Sequence, residues 1–296
     1  KLNWTLLLEM RRYPHRLLLA FIFCAFNLLI ATVRLRLLLK ARAEQPISLK
    51  QLMAFNWVGM YFSSVLPGSV TGDVVKVLYI QKLDKVFSKA FLLFTCLLDR
   101  VMGLVGLILM MGLFSLANYS ALVELSPRLA PLLQFNFVLF GAVIGAIAVF
   151  FWLPHWPQRM LDLAAHRFER ITLLRRLGML WSDLSSVRPQ IGKAIILSVF
   201  IQFLGAVIFY LLVSPQFQTH LSLSMALSFI PLGFMAIALP ISPAGLGVGH
   251  AAFEGLFQMA GEANGANFFN MYFVVMLFFN LLGFIPWLTY RPKNTT

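Results

Sequence analysis

Apolar residues fill six stretches of this chain almost without interruption: Leu17–Val33, Phe91–Ala117 (broken only by Asp99 and Arg100), Phe135–Leu153, Ala194–Val213, Leu221–Leu239 and Phe268–Leu288. A hydrocarbon core about 30 Å thick takes roughly 20 helical residues to cross, so each run reads as a membrane span. A single run of this kind could be a buried core helix. Six predict an all-α, polytopic membrane protein, read as one integral membrane domain over residues 1–296. A further apolar stretch, LMAFNWVGMYFSSVL at 52–66, behaves differently. It lies between Lys50 and Lys76, which both favour the cytoplasm, and it stops at Pro67-Gly68. Entering and leaving on one side as a re-entrant hairpin satisfies both facts. Broken helices persist in lipid only where protein or a watery cavity shelters the exposed backbone.

The break recurs. LPGSVTG at 66–72 and LPISPAG at 239–245 share L-P-x-S-x-x-G. The second copy follows Leu221–Leu239, and the near-neutral 254–267 region can return to the side from which that run enters. The expectation is therefore about six full spans plus two oppositely oriented re-entrant helical hairpins, a candidate inverted repeat. Inverted broken-helix pairs around a midplane site are a transporter arrangement. The alternative is two unrelated Pro-Gly breaks.

Charge sets the orientation. Residues 34–50 carry five basic residues and one acid, 76–89 carry four and one, and 154–193 carry seven and three, whereas 118–131 and 214–220 are close to neutral. The positive-inside tendency puts the first three in the cytoplasm with Arg291 and Lys293, and the last two outside. Arg11, Arg12 and Arg16 then fall at the outer end of the first span, against the tendency, unless the segment before Leu17 is partly interfacial. The segment at about 155–190 places Leu161, Ala164, Phe168 and Ile171 at helical spacing with arginines between them, which predicts a basic amphipathic helix at the cytoplasmic interface. Twenty-four Lys and Arg against eleven Asp and Glu give a net charge of +13. Because these cations cluster beside the spans, they read as topology and lipid headgroup contact rather than nucleic-acid binding. Cys24 and Cys96 lie inside apolar runs and read as small core residues. Trp57, Trp152, Trp156, Trp181 and Trp287 read as interface anchors, and Arg34 and Arg36 as snorkelling cations at the end of the first span.

PGSVTGDVVK at 67–76, LLDRVMGL at 97–104 and PISPAGLGVGHAAFEGLF at 240–257 resemble, in this order, the lysylphosphatidylglycerol synthase transmembrane-region family, whose members are also called flippase-like domain proteins. The resemblance covers essentially the whole chain. It implies a bacterial inner (cytoplasmic) membrane protein, and one more span before the present Lys1. It also implies a part in moving lipids, with synthesis belonging to a separate soluble domain in the best-known relatives. Other relatives belong to glycolipid pathways, so the lipid itself does not carry over. Larger relatives dimerise, so the resemblance admits a homodimer. Pro67, Gly68, Gly72 and Asp73 match the first motif, Asp99 and Arg100 the second, and Pro243, Gly245, Leu246, Gly247 and Val248 the third. Lys76 stands where the family usually has arginine, keeping the charge but not the fork. Gly249 and His250 replace a common Arg-Glu; Glu254, one turn on, could restore a carboxylate to that face.

Charge in mid-span costs at least ~2.5 to 3.5 kcal/mol per residue and persists mainly where it faces protein or water. Asp99 and Arg100 point about 100° apart on a helix, so each needs its own partner. Arg100 is expected to meet Asp73 or a substrate phosphate, and Asp99 to meet Lys76; a structural network tying hairpin to bundle is the alternative. Ser69, Thr71 and the backbone N–H groups at Gly72 and Asp73 are candidate phosphate donors at a helix start, although Asp73 is also a natural cap there. Ser242, Gly245, Gly247, His250 and Glu254 complete the candidate substrate site from the second break. His250 lacks companions at ligand spacing, so no metal is expected, and no cofactor motif is present.

The function expected is a lipid translocase acting on a phosphate-bearing lipid: a phospholipid, an aminoacyl-phospholipid or a polyprenyl-phosphate-linked lipid. A membrane enzyme that modifies a headgroup, with Asp73, Asp99, Glu254 or His250 as acid or base, is one alternative. A non-catalytic subunit of a lipid synthase is another. With no P-loop, GxSxG or HExxH in the chain, a transporter is favoured over an enzyme.

Overall fold

The computed structural model describes residues 10–40, 43, 46–66, 71–82, 87–153, 159–160, 187–238 and 245–290, and all regular structure among them is helical. The helices are α1 (Pro14–Leu39), α2 (Leu49–Val65), α3 (Thr71–Ile80), α4 (Lys89–Leu125), α5 (Ala130–Trp152), α6 (Arg188–Val213), α7 (Leu223–Ala238), α8 (Val248–Met259), α9 (Gly265–Leu281) and α10 (Phe284–Thr289). Their starts follow local chemistry. Pro14 opens α1, where a missing N–H costs nothing. The Ser88 hydroxyl accepts the Phe91 N–H at 3.2 Å and caps α4. Before α8, Gly245 and Gly247 hold φ of 74° and 85°, a left-handed backbone that only glycine takes cheaply.

Five of the described helical segments are long and apolar enough to cross a membrane: Pro14–Leu39, Lys89–Leu125, Pro127–Trp152, Arg188–Gln216 and Gly265–Thr289. The protein is an all-α, polytopic membrane protein. The sixth expected span, Leu221–Leu239, is instead the 16-residue α7. At 1.5 Å per residue it reaches about 24 Å, short of the roughly 30 Å core. The 155–190 segment lies largely outside the described residues.

α7 and α8 form one helical hairpin, and α2 and α3 form another. Their directions can be read against α4, a rod of 37 residues that packs on both. Asn118 Nδ2 donates to Ser224 Oγ at 2.8 Å, and Ser115 Oγ donates to the Ser228 carbonyl at 3.3 Å. α7 therefore starts near the C-terminal end of α4 and runs back along it. The start of α3 meets α4 much nearer its N-terminal end, through Asp73 and Arg100. Ser63 near the end of α2 and Ile237 near the end of α7 line one common cavity. Among the described residues, α3 and α7 thus pack toward different ends of α4, and the last turns of α2 and α7 face one cavity.

Packing explains both hairpins. A Cβ on Gly72 would collide with Ser63 Oγ and the Gly59 carbonyl, so α2 and α3 touch backbone to backbone. In the second hairpin, bare Gly233 and Gly249 receive the rings of Phe253 and Phe269. Phe209 of α6 stacks on Phe253 with centroids 4.8 Å apart and also meets Phe234, Phe257 and Tyr272, joining the hairpin to the bundle. Gly72→Ala is expected to push α3 off α2 and to destabilise the protein by about 1–3 kcal/mol, the usual cost of overpacking. A thermal melt in detergent measures this, and an unchanged midpoint would show that the crossing is loose.

The basic residues at the start of α1 have a structural use. Arg16 donates to the Leu211 carbonyl at 3.3 Å and to Ser214 Oγ at 2.8 Å, and its guanidinium lies 5.5 Å from the Tyr13 ring centroid. A cation at the C-terminal end of α6 satisfies a last-turn carbonyl and the helix dipole. That placement supplies a local reason for Arg16 to stand against the positive-inside tendency.

Candidate functional site

Asp73 lies in the first turn of α3, one turn before Lys76, so both point to the same side. Asp73 Oδ1 accepts Lys76 Nζ at 3.0 Å, and Oδ2 accepts Arg100 Nε at 2.6 Å. One carboxylate therefore bridges two cations. Lys76 is buried, whereas the Arg100 side chain keeps 42% of its surface exposed. The expected Arg100–Asp73 contact is present.

Asp99 takes a different partner from the one expected. It does not pair with Lys76; it receives Arg34 from α1 in a two-pronged bridge, Nε to Oδ1 at 2.8 Å and Nη2 to Oδ2 at 3.0 Å. Arg34 Nη1 also donates to Ser198 Oγ of α6 at 2.9 Å. Arg34 therefore turns into the protein rather than snorkelling outward. Gly103, one turn on, faces the same junction: its carbonyl accepts Gln202 Nε2 of α6 at 3.0 Å. The adjacent residues Asp99 and Arg100 work on two sides of α4, one tying α1, α4 and α6 together, the other reaching the first hairpin.

Between the first hairpin and α9 are two adjoining cavities, the second of which also touches Ile237 of α7. One, of about 130 Å³, is lined by Asn56, Gly59, Met60, Ser63, Asp73, Lys76 and Asn280. The other, of about 220 Å³, shares Ser63 and Asn280 with the first, but its remaining walls are mostly apolar and aromatic, including Ile237, Phe269, Phe273 and Met276. A charged chamber thus opens beside an oily one, with Ser63 and Asn280 at their junction. The smaller has room for several waters, enough for a compact ionic group.

Of the predicted residues, Asp73 and Lys76 line the ionic cavity, Arg100 joins them through its bond to Asp73, and Thr71 and Gly72 stand just before Asp73 at the start of α3. The other half of the predicted set stands apart. His250 Nδ1 accepts the Gly247 N–H at 3.2 Å, and Nε2 lies 2.7 Å from Asn270 Oδ1. Since a backbone N–H can only donate, Nδ1 is the acceptor and Nε2 carries the proton. Glu254 accepts Gln258 Nε2 at 2.7 Å and the Ala266 N–H at 2.8 Å, capping α9. Gly245 packs against Ile237, and among the described residues the second hairpin reaches the cavity through Ile237. Ser69 and Ser242 lie outside the described residues.

Arg34, Asn56, Ser63 and Asn280 were not among the expected site residues. Asn56 and Asn280 left a signal, since each is an amide inside an apolar run, where an unpaired polar group is costly. Ser63 left none.

A family model described as "Lysylphosphatidylglycerol synthase TM region" matches residues 3–283 of the chain. No curated protein matches it, and neither does any solved structure.

Proposed function

The chain belongs to the lysylphosphatidylglycerol synthase TM region family, and from that membership we propose that it is a lipid translocase of the bacterial inner membrane. The observation that carries this reading is the paired chamber between the first hairpin and α9, ionic on one side and apolar on the other. A phosphate-bearing headgroup matches the ionic half, where Lys76 lines the cavity beside Asp73 and Arg100 holds the far oxygen of that carboxylate, and hydrocarbon matches the other half. In this reading the two hairpins re-enter the membrane from opposite faces, and the headgroup crosses between their tips while protein excludes lipid from the broken backbone. Asp73 holds the two cations apart in the empty state and yields Arg100 to an incoming phosphate, for which a guanidinium fork is well shaped. Asp99 acts with Arg34 to position α4.

The test is reconstitution into liposomes carrying a headgroup-labelled anionic phospholipid. Label initially protected in the inner leaflet is expected to become accessible to a membrane-impermeant quencher faster than in protein-free vesicles. Conversion of the labelled lipid into a new species, with no gain in accessibility, would favour a headgroup-modifying enzyme and overturn the translocase.

A further inference from the structure

The two cations held by Asp73 open on different surroundings. Lys76, on Oδ1, lines the ionic cavity, and its side chain is only 8% exposed. Arg100, on Oδ2, lines neither of the two cavities, and 42% of its side chain is exposed. Its neighbours show what that exposed part faces. Leu93, Leu97 and Leu104, at helical spacing from Arg100, share its side of α4, and Val101 follows it; all four are exposed. Val74 and Leu78, one turn apart on the adjoining α3, are exposed as well. The protein thus presents an apolar strip with one guanidinium in it, on a helix long and apolar enough to span the membrane.

Depth makes that placement costly. Arg100 stands about 14 Å along α4 from Phe91, where the apolar run begins. A cation at such depth persists mainly where it meets protein, water or an opposite charge, and much of this one stays exposed beside its bond to Asp73. A bilayer lipid complements both parts of the strip: hydrocarbon lies on the leucines, and phosphate meets the guanidinium, whose fork suits its oxygens. A soluble phosphate has no use for the leucines. We propose that the face of α4 around Arg100, beside α3, is a lateral docking site for a phosphate-bearing lipid of the bilayer, and that the phosphate engages Arg100 here before it reaches Lys76 in the cavity. Asp73 sets that order, because its carboxylate stands between the outer cation and the inner one. A phosphate that takes Arg100 leaves Asp73 paired with Lys76, so no charge is stranded at that step. The passage on to Lys76 rests on the translocase reading; the docking site does not.

The experiment measures binding at the strip separately from transport. A bimane fluorophore is attached at Leu97→Cys in the full chain, with the buried Cys24 and Cys96 changed to alanine, in neutral maltoside micelles. The probe is a diacyl glycerophosphate with a nitroxide on one chain, and the reference is the diacylglycerol with the same chain and no phosphate. The glycerophosphate is expected to quench at about tenfold lower concentration, the scale of a charge-assisted contact. Arg100→Gln should erase that preference while leaving the diacylglycerol signal as it was, and Arg100→Lys should keep part of it. The same label at Leu113→Cys, exposed further along α4, should show no preference. Equal quenching by both lipids at position 97, a preference that survives Arg100→Gln, or an equal preference at position 113 would each overturn the docking site. Displacement of the glycerophosphate by an equal concentration of chain-free glycerol phosphate would also overturn it, since the site would then serve a soluble phosphate. If the preference is found but vesicles carrying the chain move no headgroup label, the docking site stands and the translocase reading falls. If headgroups move without the preference, lipid enters elsewhere and only this inference fails.

Discussion

Asp99→Asn is expected to destabilise the protein by about 3–5 kcal/mol, the cost of stripping one partner from a buried ion pair. The side chains of Arg34 and Asp99 are only 7% and 15% exposed, so the guanidinium left behind has little access to water. Asparagine keeps the shape and one acceptor but cancels the charge, so the loss reports the ionic part of the bridge. The double change Arg34→Met with Asp99→Leu should recover most of that loss, since replacing both members by apolar groups removes the desolvation cost along with the attraction. Ser198 would not be stranded, because its hydroxyl already donates to the Ala194 carbonyl at 2.7 Å. Melting midpoints of the single and double variants in one detergent make the comparison. A double variant no more stable than Asp99→Asn would mean that the pair does more than tie α1, α4 and α6 together, and would return Asp99 to the substrate site.

The long helices were legible because nothing but a membrane span accounts for so many apolar runs, and the first break was legible because Pro67-Gly68 interrupts one of them between two basic flanks. Apolar length was a poorer guide to helix length: of the run Leu221–Leu239, the described helix covers Leu223–Ala238. Within the site, helical geometry correctly separated Asp99 from Arg100 by face. It could not say which neighbour each face meets, because that depends on how α1 crosses α4. Arg34 looked like a cation at the end of a span, where long side chains usually reach for headgroups. Two features of neighbouring helices draw it inward instead: the Asp99 carboxylate and the Ser198 hydroxyl. Asn56 and Asn280 are separated by most of the chain, and their meeting in one cavity depends on α9 packing against the first hairpin, which no local pattern announces.

Arg100→Gln is expected to slow headgroup translocation in proteoliposomes by at least about tenfold, with Arg100→Lys retaining part of the rate. The structure makes this substitution unusually easy to interpret. Asp73 would keep Lys76 at 3.0 Å after the change, so no buried charge is left alone, and the Arg100 side chain is itself substantially exposed. The melting midpoint should therefore move little, as for other exposed ion pairs. Asp73→Asn is a less clean probe, because it strands Lys76 in a buried site at the same time. If Arg100 only anchors α3 to α4, then Arg100→Gln should lower stability and transport together, and lysine should rescue both. If it grips phosphate, transport should fall while the midpoint holds, and lysine should restore only part, a single point charge replacing the two-pronged contact of a guanidinium. A full transport rate in Arg100→Gln vesicles would take Arg100 out of the site and leave Lys76 as the cation to test next.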